Sequence, residues 1–433
     1  MSNRTVYVAM VADMLHAGHL NVLSRARELG RVVVGVLTDE AAASYKRLPF
    51  LPFHERKALA ESVNGVSMVV EQDTLSYRTN LERYRPDFLV HGDDWRSGVQ
   101  CTVRSEAIQV LSTWGGELVE VPYTIGISSS QLHKTLREEG ILCRLAQQRF
   151  RKLLDTKRFV RLIEVHNAVS AWVAENASAA GREFDGFWSS SLTDSTVRGR
   201  PDIEVVDLKS RLSSLEETMD ITSKPIIYDG DSGGNIDQTF YLARALSKIG
   251  VAGLCLEDKL GRKRNSLYGR DAKQTQTQAP IEEFCKKIRT AKRGSVASEL
   301  LVIARIESLV LYSDCDQAIE RAHAYCDAGA DAILIHSVAD SAREIFEFSR
   351  RFRTERPDTP LVAVPTAFDD VTVAELESNG FNVVIYANHL MRAAYSAMQR
   401  AAGDILAQDR GSVIRQYSAS PRDLLSLFPE PNL

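Results

Sequence analysis

The chain has 433 residues, of which 44% are hydrophobic and 25% charged, and its formal net charge is −4. This length predicts two or three domains of ordinary soluble composition, and the weakly negative charge argues against nucleic acid as a partner. No apolar run reaches the roughly 18 residues of a transmembrane helix, and no secretory leader is recognisable, so we expect no membrane partner. The six scattered cysteines form no Cys-x-x-Cys pair, which is typical of reduced thiols and predicts a cytoplasmic location.

The first 140 residues alternate short apolar runs with helical patterns. This alternation predicts a Rossmann-like, doubly wound parallel sheet, whose ligands bind beyond the carboxyl ends of the strands. The predicted strands are 6–11, 32–37, 68–70, 88–90 and 118–121.

Two histidines, His16 and His19, stand where the first predicted strand meets the first predicted helix. A helix N-terminus favours anions, and two imidazoles this close in sequence can approach one phosphate together. The segment contains neither GxGxxG nor GxxxxGK[ST], so neither a dinucleotide fingerprint nor a Walker loop competes with this interpretation. A lone histidine is more often structural, but the pair at this position predicts a functional site for a phosphate.

Four ordered motifs share this region. They are His16-Ala17-Gly18-His19, Phe53-His54-Glu55-Arg56-Lys57, Gly92-Asp93-Asp94-Trp95 and Gly126-Ile127-Ser128-Ser129-Ser130. Together they resemble the HxGH-type glycerol-3-phosphate cytidylyltransferase family over residues 4–139. One departure is the stretch 122–125, Pro-Tyr-Thr-Ile, where the family usually carries an Arg before its Gly-Ile-Ser. The departure at Tyr123 leaves open how the triphosphate is held and which acceptor is used.

The resemblance implies nucleotidyl transfer from CTP, with Mg²⁺ as cofactor. An acceptor oxyanion would attack the α-phosphate and pyrophosphate would leave. His16 and His19 would be catalytic, because they would stabilise the charge that builds on that phosphate. The resemblance also implies a nucleotide-binding set, consisting of Lys46, Arg56, Asp94, Trp95, Ile127, Ser128 and Ser129.

The segment 141–158 is basic and reads as a helix that joins the cytidylyltransferase domain, 1–140, to the remainder of the chain, 159–433. We expect a solvated linker helix rather than a surface for phosphate. Because no flexible Gly/Ser-rich or Pro-rich linker occurs, the two domains are expected to lie close together.

Residues 159–433 repeat a strand–helix pattern, which predicts a (β/α)₈ barrel of the TIM type. Its predicted strands are 161–165, 186–188, 225–228, 253–256, 300–304, 332–335, 361–364 and 383–386.

Barrels of this type carry their catalytic residues at the carboxyl ends of the strands. Asp229 and Asp231 follow one predicted strand, and Glu257 follows the next. Mg²⁺ takes oxygen ligands and typically uses one or two carboxylates together with water and substrate. These three residues are therefore the predicted metal ligands, some of them through water. The segment 192–202 shows no packing pattern and is predicted to be a lid loop that excludes water.

Four segments of this half resemble the phosphoenolpyruvate mutase branch of the isocitrate lyase superfamily. They are Trp188-Ser189-Ser190-Ser191-Leu192, Asp229-Gly230-Asp231-Ser232-Gly233-Gly234-Asn235, Glu257-Asp258-Lys259 with Lys263-x-Asn265-Ser266, and Ala304-Arg305-Ile306-Glu307. The resemblance implies rearrangement of phosphoenolpyruvate to phosphonopyruvate, with an equilibrium that favours phosphoenolpyruvate. The residues implied to be catalytic are Asp202, Lys263, Asn265, Arg305 and His336, and those implied to bind substrate are Trp188, Ser191, Leu192 and Ser266.

The role of Asp202 stays open at this point, as a nucleophile or as a group that steers a metaphosphate-like species. Related activities are less consistent with the sequence. Isocitrate lyases carry a Lys-Lys-Cys-Gly-His loop that is absent here. The Lys263-x-Asn265-Ser266 pattern argues against phosphonopyruvate hydrolases and oxaloacetate decarboxylases.

The fusion of the two halves resembles the bifunctional enzymes of fosfomycin-type phosphonate biosynthesis. This resemblance implies that the N-terminal domain attaches CMP to 2-hydroxyethylphosphonate. Glycerol 3-phosphate or another phosphonate is the alternative acceptor, and an inactive CTP sensor that regulates the mutase is the alternative role. The barrel superfamily also implies a homodimer or homotetramer formed through residues 388–406.

Overall fold

The computed structural model describes residues 4–44, 48–96, 100–122, 145–156, 159–268, 276–296 and 299–428. Met1–Ala387 form one compact unit and Asn388–Leu433 form a second, so residues of the predicted barrel domain, 159–433, belong to both units. Within the described residues, no helix is both long enough and apolar enough to cross a membrane.

The N-terminal region folds around a five-stranded parallel sheet with the strand order β3-β2-β1-β4-β5. Alternate residues of the central strand β1 enter two different apolar cores, with Tyr7 and Ala9 in one and Val6 and Val8 in the other. A strand buried on both faces has the continuous apolar run seen in the sequence. The predicted doubly wound sheet is confirmed. Its strands are β1 (Thr5–Met10), β2 (Arg31–Leu37), β3 (Val66–Gln72), β4 (Phe88–Gly92) and β5 (Glu117–Val121).

Helices cover both faces of this sheet, and the helix that follows β1 begins at the histidine motif. The helices are α1 (Ala17–Leu29), α2 (Asp39–Ala43), α3 (Phe53–Glu61), α4 (Arg78–Tyr84) and α5 (Gln100–Ser112), with a 3₁₀ turn at Asp93–Arg96.

The second half closes eight parallel strands into a barrel, in the order β10-β11-β14-β15-β16-β17-β6-β9. The predicted (β/α)₈ fold is therefore confirmed. The barrel strands are β6 (Val160–Glu164), β9 (Gly186–Ser189), β10 (Ile226–Asp229), β11 (Gly253–Glu257), β14 (Leu301–Ile306), β15 (Ala332–Ile335), β16 (Leu361–Ala363) and β17 (Val383–Tyr386).

Two short hairpins and a set of helices accompany the barrel strands. The hairpins pair β7 (Ser178–Ala179) with β8 (Arg182–Glu183) and β12 (Lys259–Gly261) with β13 (Gln276–Gln278). The helices are α7 (Ala168–Asn176), α8 (Ser191–Val197), α9 (Leu208–Ile221), α10 (Ile236–Ile249), α11 (Ile281–Gly294), α12 (Ser308–Tyr312), α13 (Cys315–Asp327), α14 (Arg343–Phe352) and α15 (Val373–Ser378).

The helix between the two halves, α6 (Leu145–Thr156), lies within the predicted linker segment, but it is not simply solvated. Phe150 and Leu153 are 1% and 6% exposed, and they share one apolar cluster with Ala43 and Leu48 of the N-terminal region and with residues inside the barrel. The expectation of a solvated helix is wrong for this face, because its apolar side chains close the barrel at the end where the strands begin.

The C-terminal unit consists of α16 (His389–Gln408), a 3₁₀ turn at Gly411–Ile414, and α17 (Pro421–Leu427). The tail folds back on α16 through Tyr417, whose hydroxyl donates to Asp404 Oδ2 at 2.6 Å. The guanidinium of Arg400 lies over the Tyr417 ring at 4.3 Å from its centroid.

Candidate active sites

The histidine motif forms the N-terminal cap of α1. His16 Nδ1 accepts from the Gly18 N–H at 3.1 Å, and His19 Nδ1 accepts from the His16 N–H at 3.4 Å. The two side chains thereby form a reciprocal capping box, which satisfies backbone donors that the first helical turn leaves unpaired. The ring centroids are 4.0 Å apart, so the two predicted catalytic histidines are brought together.

The capping contacts also determine which ring nitrogen of each histidine carries the proton. A nitrogen that accepts a backbone N–H cannot itself be protonated, so a neutral ring carries its proton on Nε2. Burial lowers the pKa of His16, which favours this neutral form near pH 7. The pair therefore offers Nε2–H donors at a helix N-terminus, and such donors suit phosphate oxygens.

The remaining predicted nucleotide-binding residues fall into two groups. Arg56 and Trp95 are both 0% exposed. Trp95 Nε1 donates to Glu120 Oε1 at 2.9 Å, and its ring stacks on His91 at 3.9 Å. Trp95 therefore lies within the fold beside β4 rather than on an open surface. The other members lie outside the residues, or the side chains, that the structure describes, and they are Lys46, Asp94, Ile127, Ser128 and Ser129.

In the barrel, the predicted catalytic residues Asp202, Lys263 and Asn265 converge. Lys263 Nζ donates to Asp202 Oδ1 at 2.8 Å, and Asn265 Nδ2 donates to Asp202 Oδ2 at 2.7 Å. Lys263 Nζ also donates to Ser191 Oγ at 2.7 Å and contacts Asp231 Oδ1. Each oxygen of Asp202 thus has a donor, which fixes the orientation of its carboxylate.

The predicted metal ligands follow adjacent barrel strands. Asp229 Oδ2 accepts from Ser191 N and Oγ at 3.3 and 3.1 Å, and Asp229 Oδ1 accepts from the Asp231 N–H at 3.3 Å. Asp231 has a left-handed backbone, with φ 51°, and such strained positions often occur at functional sites. Glu257 Oε1 is buried without a hydrogen-bond partner among the described residues.

These carboxylates carry compensated charge. Burial raises the pKa of Asp229, and it raises the pKa of Glu257 to about 7. Burial acts in the same direction on Asp231, but attraction to Lys263 and Arg211 outweighs it and lowers the pKa of Asp231. A divalent cation would add positive charge to the same cluster.

The carboxylates of the barrel fit a Mg²⁺ ion that water and substrate help to coordinate. No group of three or more His, Cys, Asp or Glu side chains within the described ranges converges closely enough to hold an ion alone. Mg²⁺ needs only one or two carboxylates, since water and substrate complete its coordination. The buried, unpartnered oxygen of Glu257 and the adjacent Asp229 and Asp231 fit that requirement.

A second polar cluster surrounds Arg305. Its Nη2 donates to Ser266 Oγ at 2.8 Å and lies 3.0 Å from His336 Nδ1. Its Nε donates to Glu307 Oε1 at 2.5 Å, and Ser266 Oγ lies 2.8 Å from both Glu307 Oε2 and Lys259 Nζ. Burial lowers the pKa of His336. The cluster therefore presents a fixed guanidinium and a neutral imidazole, a combination suited to a phosphate or carboxylate.

Two predicted substrate-binding residues have different surroundings, and the predicted lid is partly wrong. Trp188 is 2% exposed and belongs to the barrel core. Leu192 is partly buried in α8. The first half of segment 192–202 is this helix, with Thr193 and Asp194 buried. Burial holds these residues, so only the residues of this segment after Val197 are without regular structure.

The structure also shows a site residue, Arg211, that the sequence did not single out. Arg211 of α9 donates to Asp194 Oδ2 at 2.8 Å and to Asp231 Oδ2 at 3.5 Å, and its guanidinium lies 4.0 Å from the Tyr228 ring centroid. Lys259 and Glu307, which stand in two of the motifs quoted above, belong to the Arg305 cluster. Arg211 lies with Leu215 on the buried face of α9, a placement that becomes visible only once the helix is packed.

Fold and site together define two enzyme classes in one chain, a nucleotidyltransferase-type α/β domain and a (β/α)₈ barrel of the phosphoenolpyruvate mutase and isocitrate lyase type. The family model for phosphoenolpyruvate phosphomutase matches residues 150–406, and that for cytidylyltransferase-like domains matches residues 11–135. The chain therefore belongs to the phosphoenolpyruvate phosphomutase family and carries a cytidylyltransferase-like domain. It is an enzyme with an isomerase half and a nucleotidyltransferase half.

Individual relatives agree with this assignment. The phosphoenolpyruvate phosphomutase of Tetrahymena pyriformis is 34% identical over 284 residues, covering 65% of this chain and 91% of the relative. The crystal structure of the phosphomutase from Streptomyces platensis subsp. rosaceus is 34% identical, has a TM-score of 0.60, and covers 64% of this chain and 93% of that one. A phosphonopyruvate hydrolase structure in complex with oxalate and Mg²⁺ is 30% identical, has a TM-score of 0.57, and covers 65% and 94%.

Proposed function

We propose that the barrel interconverts phosphoenolpyruvate and phosphonopyruvate with Mg²⁺, and that the N-terminal domain transfers CMP from CTP to 2-hydroxyethylphosphonate. The barrel proposal depends chiefly on Asp202, whose two oxygens are held by Lys263 at 2.8 Å and Asn265 at 2.7 Å. In the rearrangement, the bond between phosphorus and the C2 oxygen breaks, a bond between phosphorus and C3 forms, and C2 becomes a carbonyl. No proton is gained or lost overall.

The residues of the barrel divide this work. Mg²⁺ held by Asp229, Asp231 or Glu257 would supply positive charge to the enolate oxygens. Lys263 and Asn265 orient Asp202 and, with Arg305, balance the charge of the transferring phosphoryl group, which is spread over its oxygens in a loose transition state. Burial of Lys263, which is 7% exposed, keeps water from this region and so protects the group from hydrolysis.

Hydrolysis of phosphonopyruvate is the second candidate for the barrel, because a hydrolase shares both the fold and 30% identity. One assay separates the two. Phosphonopyruvate is supplied with Mg²⁺, and NADH consumption is followed with lactate dehydrogenase alone or with pyruvate kinase and ADP added. A mutase gives a signal only in the second mixture, since it forms phosphoenolpyruvate. A signal with lactate dehydrogenase alone would show pyruvate and establish the hydrolase. Excess EDTA is expected to abolish either signal.

In the N-terminal domain, a phosphonate oxygen would attack the α-phosphorus of CTP. A new phosphorus–oxygen bond forms, the bond between the α-phosphorus and the bridging oxygen breaks, and pyrophosphate leaves. His16 and His19 support this proposal, because their Nε2–H donors can hold the α-phosphate oxygens while charge builds there. A phosphonate acceptor derived from the barrel's product would place both halves of the chain in one pathway, which glycerol 3-phosphate would not. In both acceptors the nucleophile is an oxygen atom bonded to phosphorus.

Pyrophosphate release from Mg²⁺–CTP tests this half, with 2-hydroxyethylphosphonate and glycerol 3-phosphate as rival acceptors and phosphorus NMR to identify the product. We expect the wild-type chain to prefer 2-hydroxyethylphosphonate, and we expect His19→Ala to abolish this turnover. Preference for glycerol 3-phosphate would replace the proposed acceptor. CTP binding without turnover, combined with a mutase rate that changes with CTP, would establish the regulatory sensor instead.

The proposal includes a homo-oligomer formed through α16, as the barrel superfamily implies. Tyr395 and Met398 on this helix are 55% and 58% exposed, and such large apolar side chains are typical of contact surfaces. Light scattering should show a dimer or tetramer that Met398→Glu weakens. A monomeric wild-type chain would contradict it. A cytoplasmic location stays a prediction.

A further inference from the structure

The linker helix α6 has a polar contact with the N-terminal domain as well as its apolar contact with the barrel. Lys152 lies on α6 between the buried Phe150 and Leu153. Its Nζ is 3.0 Å from Asp39 Oδ2, and its side chain is 30% exposed. Asp39 is the first residue of α2 and stands just beyond the carboxyl end of β2. An ammonium group from the linker thus reaches the edge of the sheet where ligands of such domains bind.

Asp39 shares its two oxygens between two cations. While Oδ2 faces Lys152, Oδ1 accepts from Arg56 Nη2 at 2.7 Å. Burial opposes the charge on Asp39, but hydrogen bonds from Arg56 and Lys152 outweigh it and lower the pKa of Asp39. The carboxylate therefore stays ionised and connects the linker helix to a fully buried guanidinium.

Arg56 contacts the backbone on which the histidine motif stands. Its Nη1 donates to the Val11 carbonyl, and its Nε donates to the Leu51 carbonyl at 3.0 Å. Val11 follows the last residue of β1 and begins the segment that leads to His16. Asp13 completes the connection, because its carboxylate accepts from the N–H groups of Phe50 and Leu51 at 3.0 and 3.2 Å.

The segment held in this way is strained. Ala12 and Met14 both have left-handed backbones, with φ values of 58° and 48°. Such conformations cost roughly 1–3 kcal/mol each and persist only where neighbouring contacts enforce them. The contacts from Arg56 to Val11 and from Asp13 to Phe50 and Leu51 lie immediately beside these two residues. Loosening them would let the segment relax and would move His16.

We infer that Lys152, Asp39 and Arg56 form a positioning relay through which the linker helix holds His16 and His19 in place for nucleotidyl transfer. Lys152 is then a positioning residue for the N-terminal site, although it belongs to the helix that closes the barrel. Arg56 acts through the Val11 carbonyl rather than by contact with the nucleotide. The inference rests on the proposed nucleotidyl transfer and adds a residue from outside that domain.

Lys152→Met is the primary test in the full-length chain, because it removes the ammonium while Asp39 keeps its contact with the buried Arg56. Small displacements of reacting groups cost up to about 10²-fold in rate, and loss of one outer contact should cost less. We expect kcat for nucleotidyl transfer to fall about 5-fold while KM for CTP changes by less than about 2-fold. Lys152→Arg should restore most of the rate, and the mutase rate should not change.

Arg151→Met is the matched control. Arg151 is the preceding residue on α6, and its guanidinium contacts Asp331 of the barrel at 3.3 Å. Its loss should leave nucleotidyl transfer unchanged. Equal losses in Lys152→Met and Arg151→Met would overturn the inference, as would an unchanged kcat in Lys152→Met. Arg56→Lys, if folded, should also lower kcat; a rise confined to KM for CTP would instead show nucleotide contact.

A spectroscopic measurement separates this inference from the proposed function. In chains labelled with ¹⁵N-histidine, the imidazole signals of His16 and His19, assigned by His→Gln variants, should shift in Lys152→Met and not in Arg151→Met. This result is independent of turnover. If the wild-type chain shows no turnover but the His16 and His19 signals shift in Lys152→Met, the proposed reaction is refuted and the relay is supported. If the wild-type chain turns over but Lys152→Met changes neither these signals nor kcat, the relay is refuted and the proposed reaction is supported.

Discussion

The two candidate sites of this chain hold charge in different ways. In the barrel, ionised side chains neutralise one another directly, as Lys263 does for Asp202 and Asp231. In the N-terminal domain, the two histidine side chains accept backbone N–H groups at the start of a helix, and burial lowers the pKa of His16. A site built from buried ion pairs depends on each partner, because an uncompensated buried charge is costly. A site built on a helix cap depends on the backbone geometry beneath it.

The largest effect should come from Asp202, the residue on which the barrel network converges. Asp202→Asn keeps the size but replaces one carboxylate oxygen by an NH₂ group, which must then face the donors of Lys263 or Asn265. We expect the mutase rate to fall by about 10²-fold or more, as for the loss of other preorganised charged groups. Nucleotidyl transfer should be unchanged.

The control for this prediction is Asp207→Asn. Asp207 caps α9 by accepting from the Ser210 N–H at 3.0 Å, and Asn caps helices equally well. If Asp202→Asn kept a mutase rate within about 10-fold of the wild-type rate, Asp202 would have no role in the chemical step.

Sequence patterns were sufficient for the fold but only partly so for the sites. Apolar runs bounded by polar turns predict all thirteen principal strands within about two residues, because buried parallel strands require such runs. Sequence patterns do not show the directions in which the side chains of a site point. Motif position indicates Arg56 as functional, yet only the packing of α3 shows that its guanidinium points at the Val11 carbonyl.

Arg211 illustrates what was missed and why. Nothing near it in sequence suggests chemistry, and its value comes from Asp194 and Asp231, which the fold brings to it from 17 and 20 residues away. The periodic signal, a charged residue within the apolar stripe of α9, is visible only once the helix face is known. Long-range charge pairing of this kind cannot be read from local patterns.

The two halves of the chain share one apolar cluster, and Phe150 belongs to it. Phe150→Ala removes a ring that is 1% exposed from the cluster at the barrel base. Such truncations cost about 3–5 kcal/mol, and the cluster includes Ala43 and Leu48 of the N-terminal domain. Urea unfolding followed by both activities should therefore show both halves destabilised. The control is Asp155→Ala, an exposed position on the same helix, and loss confined to one half would contradict a shared core.

Removal of metal tests whether Lys263 and a cation share the charge of the barrel carboxylates. Burial alone would lower the pKa of Lys263, but attraction to Asp231 and Asp229 outweighs it and raises that pKa, so the ammonium stays charged. Lys263→Met leaves these carboxylates with fewer cations. Because Arg211 remains, we expect a loss of about 2 kcal/mol in EDTA, less than for an isolated buried pair.

Magnesium should restore part of that loss, since a ligand that binds only the folded state stabilises it. The increase in melting temperature between EDTA and saturating Mg²⁺ should thus be larger in Lys263→Met than in the wild type. Lys209→Met, at an exposed position of α9, is the control. If Mg²⁺ raised the melting temperature equally in Lys263→Met and Lys209→Met, Lys263 would not share the carboxylates with the metal.

The smallest predicted effect concerns Glu120, a strongly paired carboxylate beside the stacked Trp95. Hydrogen bonds from Arg104 and Arg96, and then from Trp95, lower the pKa of Glu120 far below its usual 4.5. A lowered carboxyl pKa gives stability that is complete above the unfolded value and is lost as pH falls through the folded value. Glu120→Gln should therefore cost about 1 kcal/mol at pH 7, a modest amount because water screens Arg96. The difference in unfolding free energy should shrink below about pH 4.5, and a difference independent of pH would show that packing, not charge, is what Glu120 contributes.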